Sequence, residues 1–185
     1  MDILMVDPHW HDLNPRLCGT EQCAPGHFWG PGPRALWILH YVVSGRGRFE
    51  ARGHSYSLHA GQVFVIRPEE TVFYQADRSE PWEYIWIGFD CGITPPAALE
   101  RDVIDEPKCG AVFVSALRAR EKESGREEFL CQKLWELFAL LAEPAPCARI
   151  RSEDYVERAK TYLEAAYMRP VSITALAEQM NLDRS

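Results

Sequence analysis

Trp82-Glu83-Tyr84-Ile85-Trp86-Ile87-Gly88-Phe89 alternates two kinds of bulk. In an extended chain Trp82, Tyr84 and Trp86 fall on one side, and Glu83, Ile85, Ile87 and Phe89 on the other. Period two with this much aromatic and β-branched weight predicts a strand. Upstream, residues 35–44 are rich in Trp, Ile, Leu, Tyr and Val and stop at Gly45-Arg46-Gly47. Residues 48–51 and 55–58 flank the turn Arg52-Gly53-His54, and Ala60-Gly61 precedes Gln62–Ile66, which Pro68 ends. Residues 71–75 alternate weakly. Short strands at such regular spacing predict a β-sandwich or barrel. Ahead of them, Cys18-Gly19-Thr20, Ala24-Pro25-Gly26 and Gly30-Pro31-Gly32-Pro33 interrupt both periods, and this stretch is expected to be an ordered arm.

Downstream the period changes. Phe129, Leu130, Leu134, Leu137, Phe138 and Leu141 recur at helical spacing, with Glu127, Glu128, Gln132, Lys133 and Glu136 on the other face. A shorter helix over residues 112–123 precedes this one, and Gly125 separates them. Such helices can lie back on the β-domain or pair with a second copy of the chain; the six apolar residues are the candidate homodimer surface. Ala142-Glu143-Pro144-Ala145-Pro146 predicts a linker. Beyond it a helix carries Tyr155, Val156, Ala159, Tyr162, Leu163 and Ala166, Arg169-Pro170 ends it, and a short helix starts at Thr174 with Leu176, Ala177 and Met180 as its apolar positions.

Composition narrows the function classes. The chain has 185 residues and a formal net charge of −7, which argues against a body that grips phosphate over its whole surface. Its longest uncharged apolar run, near residues 36–44, is far too short for a bilayer, and the N-terminus has no basic region of a secretory signal. A cytoplasmic protein without a membrane partner is expected. The six cysteines form no C-x-x-C pair and read as reduced thiols.

The stretch from Tyr155 through Arg169-Pro170-Val171-Ser172-Ile173-Thr174-Ala175-Leu176-Ala177-Glu178-Gln179-Met180-Asn181-Leu182 resembles the first helix-turn-helix of AraC/XylS-type transcription regulators. Residues 39–47, 58–66 and 81–89 are similar to that family's ligand-binding domain. The resemblance implies a mainly β fold followed by α: a cupin-type (double-stranded β-helix) barrel with C-terminal helices and a partial helix-turn-helix. It divides the chain into an arm and effector-binding barrel over 1–110, a helical dimerisation segment over 111–143, a linker over 144–152 and a partial helix-turn-helix over 153–185. The recognition helix is expected beyond the last residue, so DNA binding is assigned to a full-length form. Residues 153–185 themselves carry four Lys/Arg against six Asp/Glu, a poor balance for phosphate.

The resemblance also implies a pocket. Tyr74 stands where the arabinose-sensing member has a pocket tyrosine, Trp86 where it has a pocket tryptophan, and Tyr84 where it has a pocket histidine. Aromatic faces suit the C–H faces of sugars, although the same rings can simply fill a barrel. Trp82, after Pro81, is expected near the rim. Arg34, just before the first long strand, is a candidate to fork onto ligand oxygens, and His27 lies in an arm that in this family can fold over the ligand. The expected partner is a carbohydrate effector, with no cofactor and no metal. An alternative is a cupin-fold enzyme, isomerase or oxygenase, but its H-x-H ligand pair is missing after Gly45, where Arg46, Arg48, Glu50 and Arg52 stand. A dimerisation module that senses no ligand is the other alternative.

Overall fold

Whether a strand is buried on one face or both decides how its sequence reads, and the protein contains both kinds. The computed structural model describes residues 2–142, 152–166 and 168–179. Among these residues, ten strands form two antiparallel sheets. The larger has the order β1 (Asp2–Leu4), β2 (Leu13–Gln22), β9 (Glu83–Cys91), β4 (Trp37–Ser44), β7 (Gln62–Ile66), β10 (Val103–Asp105). The smaller has the order β3 (Phe28–Gly32), β8 (Val72–Ala76), β5 (Arg46–Ala51), β6 (His54–His59). The interleaved strand order is that of the expected cupin-type barrel.

The inner core lies between the sheets and collects Ile38, Val42, Phe64, Ile66 and Tyr84 from one, and Phe49, Leu58, Val72 and Tyr74 from the other. A second core lies on the outer face of the larger sheet. There Leu39, Val63, Val65, Ile85, Ile87 and Phe89 pack against α1 (Cys109–Ala116) and α2 (Arg126–Leu141). The larger sheet is therefore apolar on both faces, and β7 is buried at four consecutive positions. The smaller sheet has one face in water, and β8 alternates buried and half-buried residues. Gly110 lets α1 sit on β4, since a Cβ there would press on the hydroxyl of Tyr41, whose ring stacks on Phe113.

Two sequence expectations are corrected. Residues 2–32 are not an arm but supply three strands, and β2 is a ten-residue strand paired along its length with β9. Pro15 is accommodated at an irregularity in the register between Pro15 and Leu17, which is how a strand carries a residue without an N–H. The α2 stripe also does not face a second copy. Leu130, Leu134, Leu137, Phe138 and Leu141 are buried against the chain's own sheet and α1, with Phe138 set edge-on to Phe89 at 5.8 Å. Phe129 is half-buried, with the Lys122 and Lys133 ammonium groups 4.8 and 5.6 Å from its ring centre. Barrel and helices thus form one unit through residue 143, with no boundary at 110.

Residues 144–185 form a second unit, in which α3 (Ser152–Ala166) and α4 (Ile173–Gln179) are described. Ser172 precedes α4: its Oγ accepts from the Ala175 N–H and its carbonyl from the Leu176 N–H, as an N-cap does. The helix therefore begins one residue before Thr174. The linker assigned to 144–152, apart from Ser152, lies outside the described residues, as do Met180, Leu182 and Cys147.

Within residues 1–143, Asp102, buried in a bend before β10, ties the smaller sheet to the larger one. Its carboxylate accepts from Arg52, from Arg67 at 2.9 Å and from the Tyr56 hydroxyl at 2.8 Å. Burial alone would raise its pKa, but these three donors hold it below the ordinary 3.8. A carboxylate depressed in this way stabilises the fold above its unfolded pKa and loses that contribution as pH falls through the folded value.

Because α2 is a core helix, Leu134→Ala is expected to cost about 3 kcal/mol of stability, a usual figure for a buried leucine truncation, and to leave the oligomeric state unchanged. Thermal melts and sedimentation velocity on the same samples check this. A variant that changes its sedimentation coefficient while keeping its melting temperature would return the stripe to an intermolecular interface.

Candidate functional site

A cavity of about 370 Å3 is lined from both sheets. Its inner surface is aromatic because the inward positions of β4, β8 and β9 are His40, Tyr74, Tyr84 and Trp86. His40 sits opposite Trp86 in the β4–β9 ladder and opposite Phe64 in the β4–β7 ladder. Its ring stacks on Phe64 at 4.4 Å and meets Tyr74 and Tyr84 at 5.3 and 5.1 Å. Trp29 of β3 faces Tyr74 across the other ladder and stacks on it at 5.6 Å. Nearer solvent stand Asp2 and Leu4 of β1, Glu21 at the end of β2, His27 and Arg34.

All five sequence-selected residues, Tyr74, Tyr84, Trp86, Arg34 and His27, line this one cavity. The guanidinium of Arg34 lies 3.9 Å over the Trp29 ring, which holds a flexible side chain in place by cation–π attraction. Its charge also acts on the Tyr74 hydroxyl, and its own Nε is buried without a protein partner. Burial raises the pKa of Tyr74 and of Tyr84, so both hydroxyls stay protonated and can donate or accept. The Tyr84 hydroxyl donates to Glu21 at 3.3 Å. Burial, with the Arg34 charge in support, lowers the His40 pKa to about 3. Its imidazole is neutral across the physiological range, and Nδ1 is left without a partner.

Trp82 is not at the rim. It is fully buried, stacked on Phe64 at 5.5 Å and set edge-on to Tyr84 at 5.8 Å. Gly47 makes this possible, since a Cβ there would run into the indole. Trp82 packs in the inner core beneath the cavity wall rather than lining it.

Sequence reasoning missed His40, Trp29, Glu21, Asp2 and Leu4. His40 lies two residues from both Ile38 and Val42, which face the inner core, so period two would have placed it. That signal is hidden because Leu39, Tyr41 and Val43 between them are also apolar. Trp29 was masked by its glycine and proline neighbours. As for metal donors, Glu21, Cys23 and His27 converge at the cavity's edge, whereas the rings packed around His40 are Phe64, Tyr74, Tyr84 and Trp86, with no second histidine, thiol or carboxylate among them.

Comparison with known proteins bears on this site. A family model for the AraC-like ligand binding domain matches residues 14–158. The Msm operon regulatory protein of Streptococcus mutans is 26% identical over 189 residues, spanning 94% of this chain and 68% of that protein. The raffinose operon transcriptional regulatory protein of Pediococcus pentosaceus is 28% identical over 192 residues, spanning 94% and 69%. The lactose operon transcription activator of Staphylococcus xylosus is 25% identical over 190 residues, spanning 94% and 68%.

His40 gives the pocket a pH signature. A histidine whose folded pKa lies below its unfolded 6.5 stabilises the fold fully only above pH 6.5, and that contribution erodes as pH falls toward about 3. Below pH 6.5 the slope due to this residue is expected to approach about 1.4 kcal/mol per pH unit. Melts of wild type and His40→Asn between pH 7.5 and about pH 4.5 check it. The variant's stability is expected to depend less on pH over that window; parallel curves would show that His40 is not buried in neutral form.

Proposed function

We infer from the family to which this chain belongs, the AraC-like ligand binding domains, that it is the effector-sensing part of a transcription regulator and that its effector is a neutral saccharide. The observation that carries this is the cavity itself: Trp29, Tyr74, Tyr84 and Trp86 offer flat apolar faces, interrupted by the hydroxyls of two protonated tyrosines, a neutral imidazole and one guanidinium. Sugars present both C–H faces and a dense set of hydroxyls, so they match aromatic walls that carry isolated polar atoms. The names of two relatives tie them to raffinose and lactose operons, which supports the same effector class here.

Charge favours an uncharged ligand. Asp2 and Glu21 set two carboxylates at the cavity against the guanidinium of Arg34. A sugar phosphate would meet net negative charge there and would leave its own charge poorly compensated. We also take α3 and α4, separated by Pro170 and with α4 capped by Ser172, as the opening of a helix-turn-helix whose base-reading function belongs to the full-length regulator. A homodimer would have to use surface other than the buried α2 stripe. Regulation is favoured over cupin catalysis because the three curated relatives are named as regulators.

A thermal-shift panel of raffinose, lactose, monosaccharides and a hexose phosphate tests this. A neutral saccharide at about one hundred times its Kd should stabilise the chain by about 2.7 kcal/mol, with no shift from the hexose phosphate. Trp86→Ala and Tyr74→Phe are each expected to weaken the response at least tenfold. A shift that survives both substitutions would place the binding site elsewhere, and a flat panel would remove the saccharide.

A further inference from the structure

Glu21 is the second-last residue of β2, Cys23 follows that strand, and His27 closes the turn into β3. Each contributes one metal-ligating atom, and the three atoms lie within 4.8 Å of one another. The Glu21 Oε1 and His27 Nε2 atoms are 3.4 Å apart. Two ligands at about 2.0–2.1 Å from a tetrahedral zinc ion are separated by roughly the same distance. Cys23 is a free, buried thiol, while Glu21 is half-buried and His27 exposed, so the group combines one soft inner donor with two reachable outer ones.

The backbone holds this group in place. The Cys23 N–H donates to the Trp82 carbonyl at 3.1 Å and the His27 N–H to the Ala24 carbonyl at 3.0 Å. The His27 carbonyl accepts from the Ala76 N–H at 2.8 Å, and the Gly26 carbonyl from the Gln75 side chain at 3.1 Å. A turn pinned on both sides loses little conformational freedom when a ligand bridges it. Outer partners are present as well: the Tyr84 hydroxyl donates to Glu21 Oε2, the carboxylate oxygen left over for orientation.

We propose that Glu21, Cys23 and His27 form a three-ligand zinc site at the edge of the pocket. Thiolate, imidazole and carboxylate together select a borderline-soft ion over magnesium or calcium. Three protein ligands leave one tetrahedral position for water or a ligand oxygen. Glu21 and His27 both line the cavity, so that position lies where an effector hydroxyl can reach it. Binding breaks the Cys23 S–H bond, the sulfur lone pair goes to zinc and the proton goes to solvent, so affinity falls as pH falls. The site stands on the ligand geometry alone and does not depend on the effector class.

The test uses the full chain, reduced and stripped of metal, titrated with Zn2+ by calorimetry and with Co2+ by absorption, with no saccharide present. One equivalent of each ion is expected. Cobalt should give a sulfur-to-metal charge-transfer band and the strong visible bands of a tetrahedral site, both removed by added zinc. Cys23→Ser should abolish the charge-transfer band, and His27→Ala should weaken zinc binding by at least about tenfold. His27 is exposed, so its variant should fold even if the cysteine variant does not, and a thermal melt records this. Cys131→Ser, distant in the fold, should bind as wild type. Binding below one equivalent, a band that survives Cys23→Ser, or undiminished affinity in His27→Ala would each overturn the proposal.

Discussion

The burial of β9 on both faces is the constraint from which the rest of the structure follows. Its outer residues Ile85, Ile87 and Phe89 meet α1 and α2, while Tyr84 and Trp86 turn inward. A strand with two apolar faces needs a layer on each side, because an uncovered apolar face this size would favour association or collapse. The helices supply one layer and the smaller sheet the other. Neither is optional, and this is why α2 cannot keep its leucines free for a second copy. Apolar burial at roughly 25 cal/mol per Å2 makes three fully buried leucines worth several kcal/mol to the single chain.

The inward side of the same strand is less completely filled, and the cavity exists for that reason. Trp82 packs fully because Gly47 opposite it has no side chain. Further along, Tyr84 and Trp86 face Trp29, Tyr74 and His40, whose rings leave a gap between them. Polar atoms left in that gap are costly unless something bonds them. The Nδ1 of His40 and the Nε of Arg34 are both buried without a protein partner, so a polar occupant that bonds either atom is favoured there. Keeping the imidazole neutral limits that cost, since an imidazolium at the same place would add the penalty of a buried charge.

How much of this was legible in the sequence depended on how many faces of each element are buried. The hairpin around Gly53, the strand before Pro68 and the aromatic strand after Pro81 were all readable, because turn residues bound them or alternation marks them. The strand holding His40 was readable as a strand but not by face, since residues on both sides of it are apolar. β2 and β3 were missed because Gly19, Pro15, Gly30 and Pro31 break the local signal; long-range pairing with β9 and β8 overrides it. The α2 stripe was correctly periodic, yet period alone cannot distinguish a sheet of the same chain from a helix of another. Tyr74, Tyr84 and Trp86 could be selected from family resemblance, whereas Glu21 and Cys23 needed the fold to bring them to His27.

The edge of the cavity joins parts of the chain that are far apart in sequence. Asp2 and Leu4 of β1 line it, and β1 is an edge strand paired with β2 alone. Just beyond β1, the Met5 N–H bonds the Arg16 carbonyl and the Val6 N–H donates to the Glu127 carboxylate at the start of α2. Asp7 then pairs with Arg16 and Asn14 of β2. A three-residue edge strand holds its place with few bonds, so its local stability sits at the low end for the fold. A ligand that contacts Asp2 or Leu4 adds to those few bonds and biases the seating of the segment that also reaches α2. Connectivity makes this route short: Val6, which meets α2, is four residues from Asp2 and two from Leu4, the β1 residues that line the cavity.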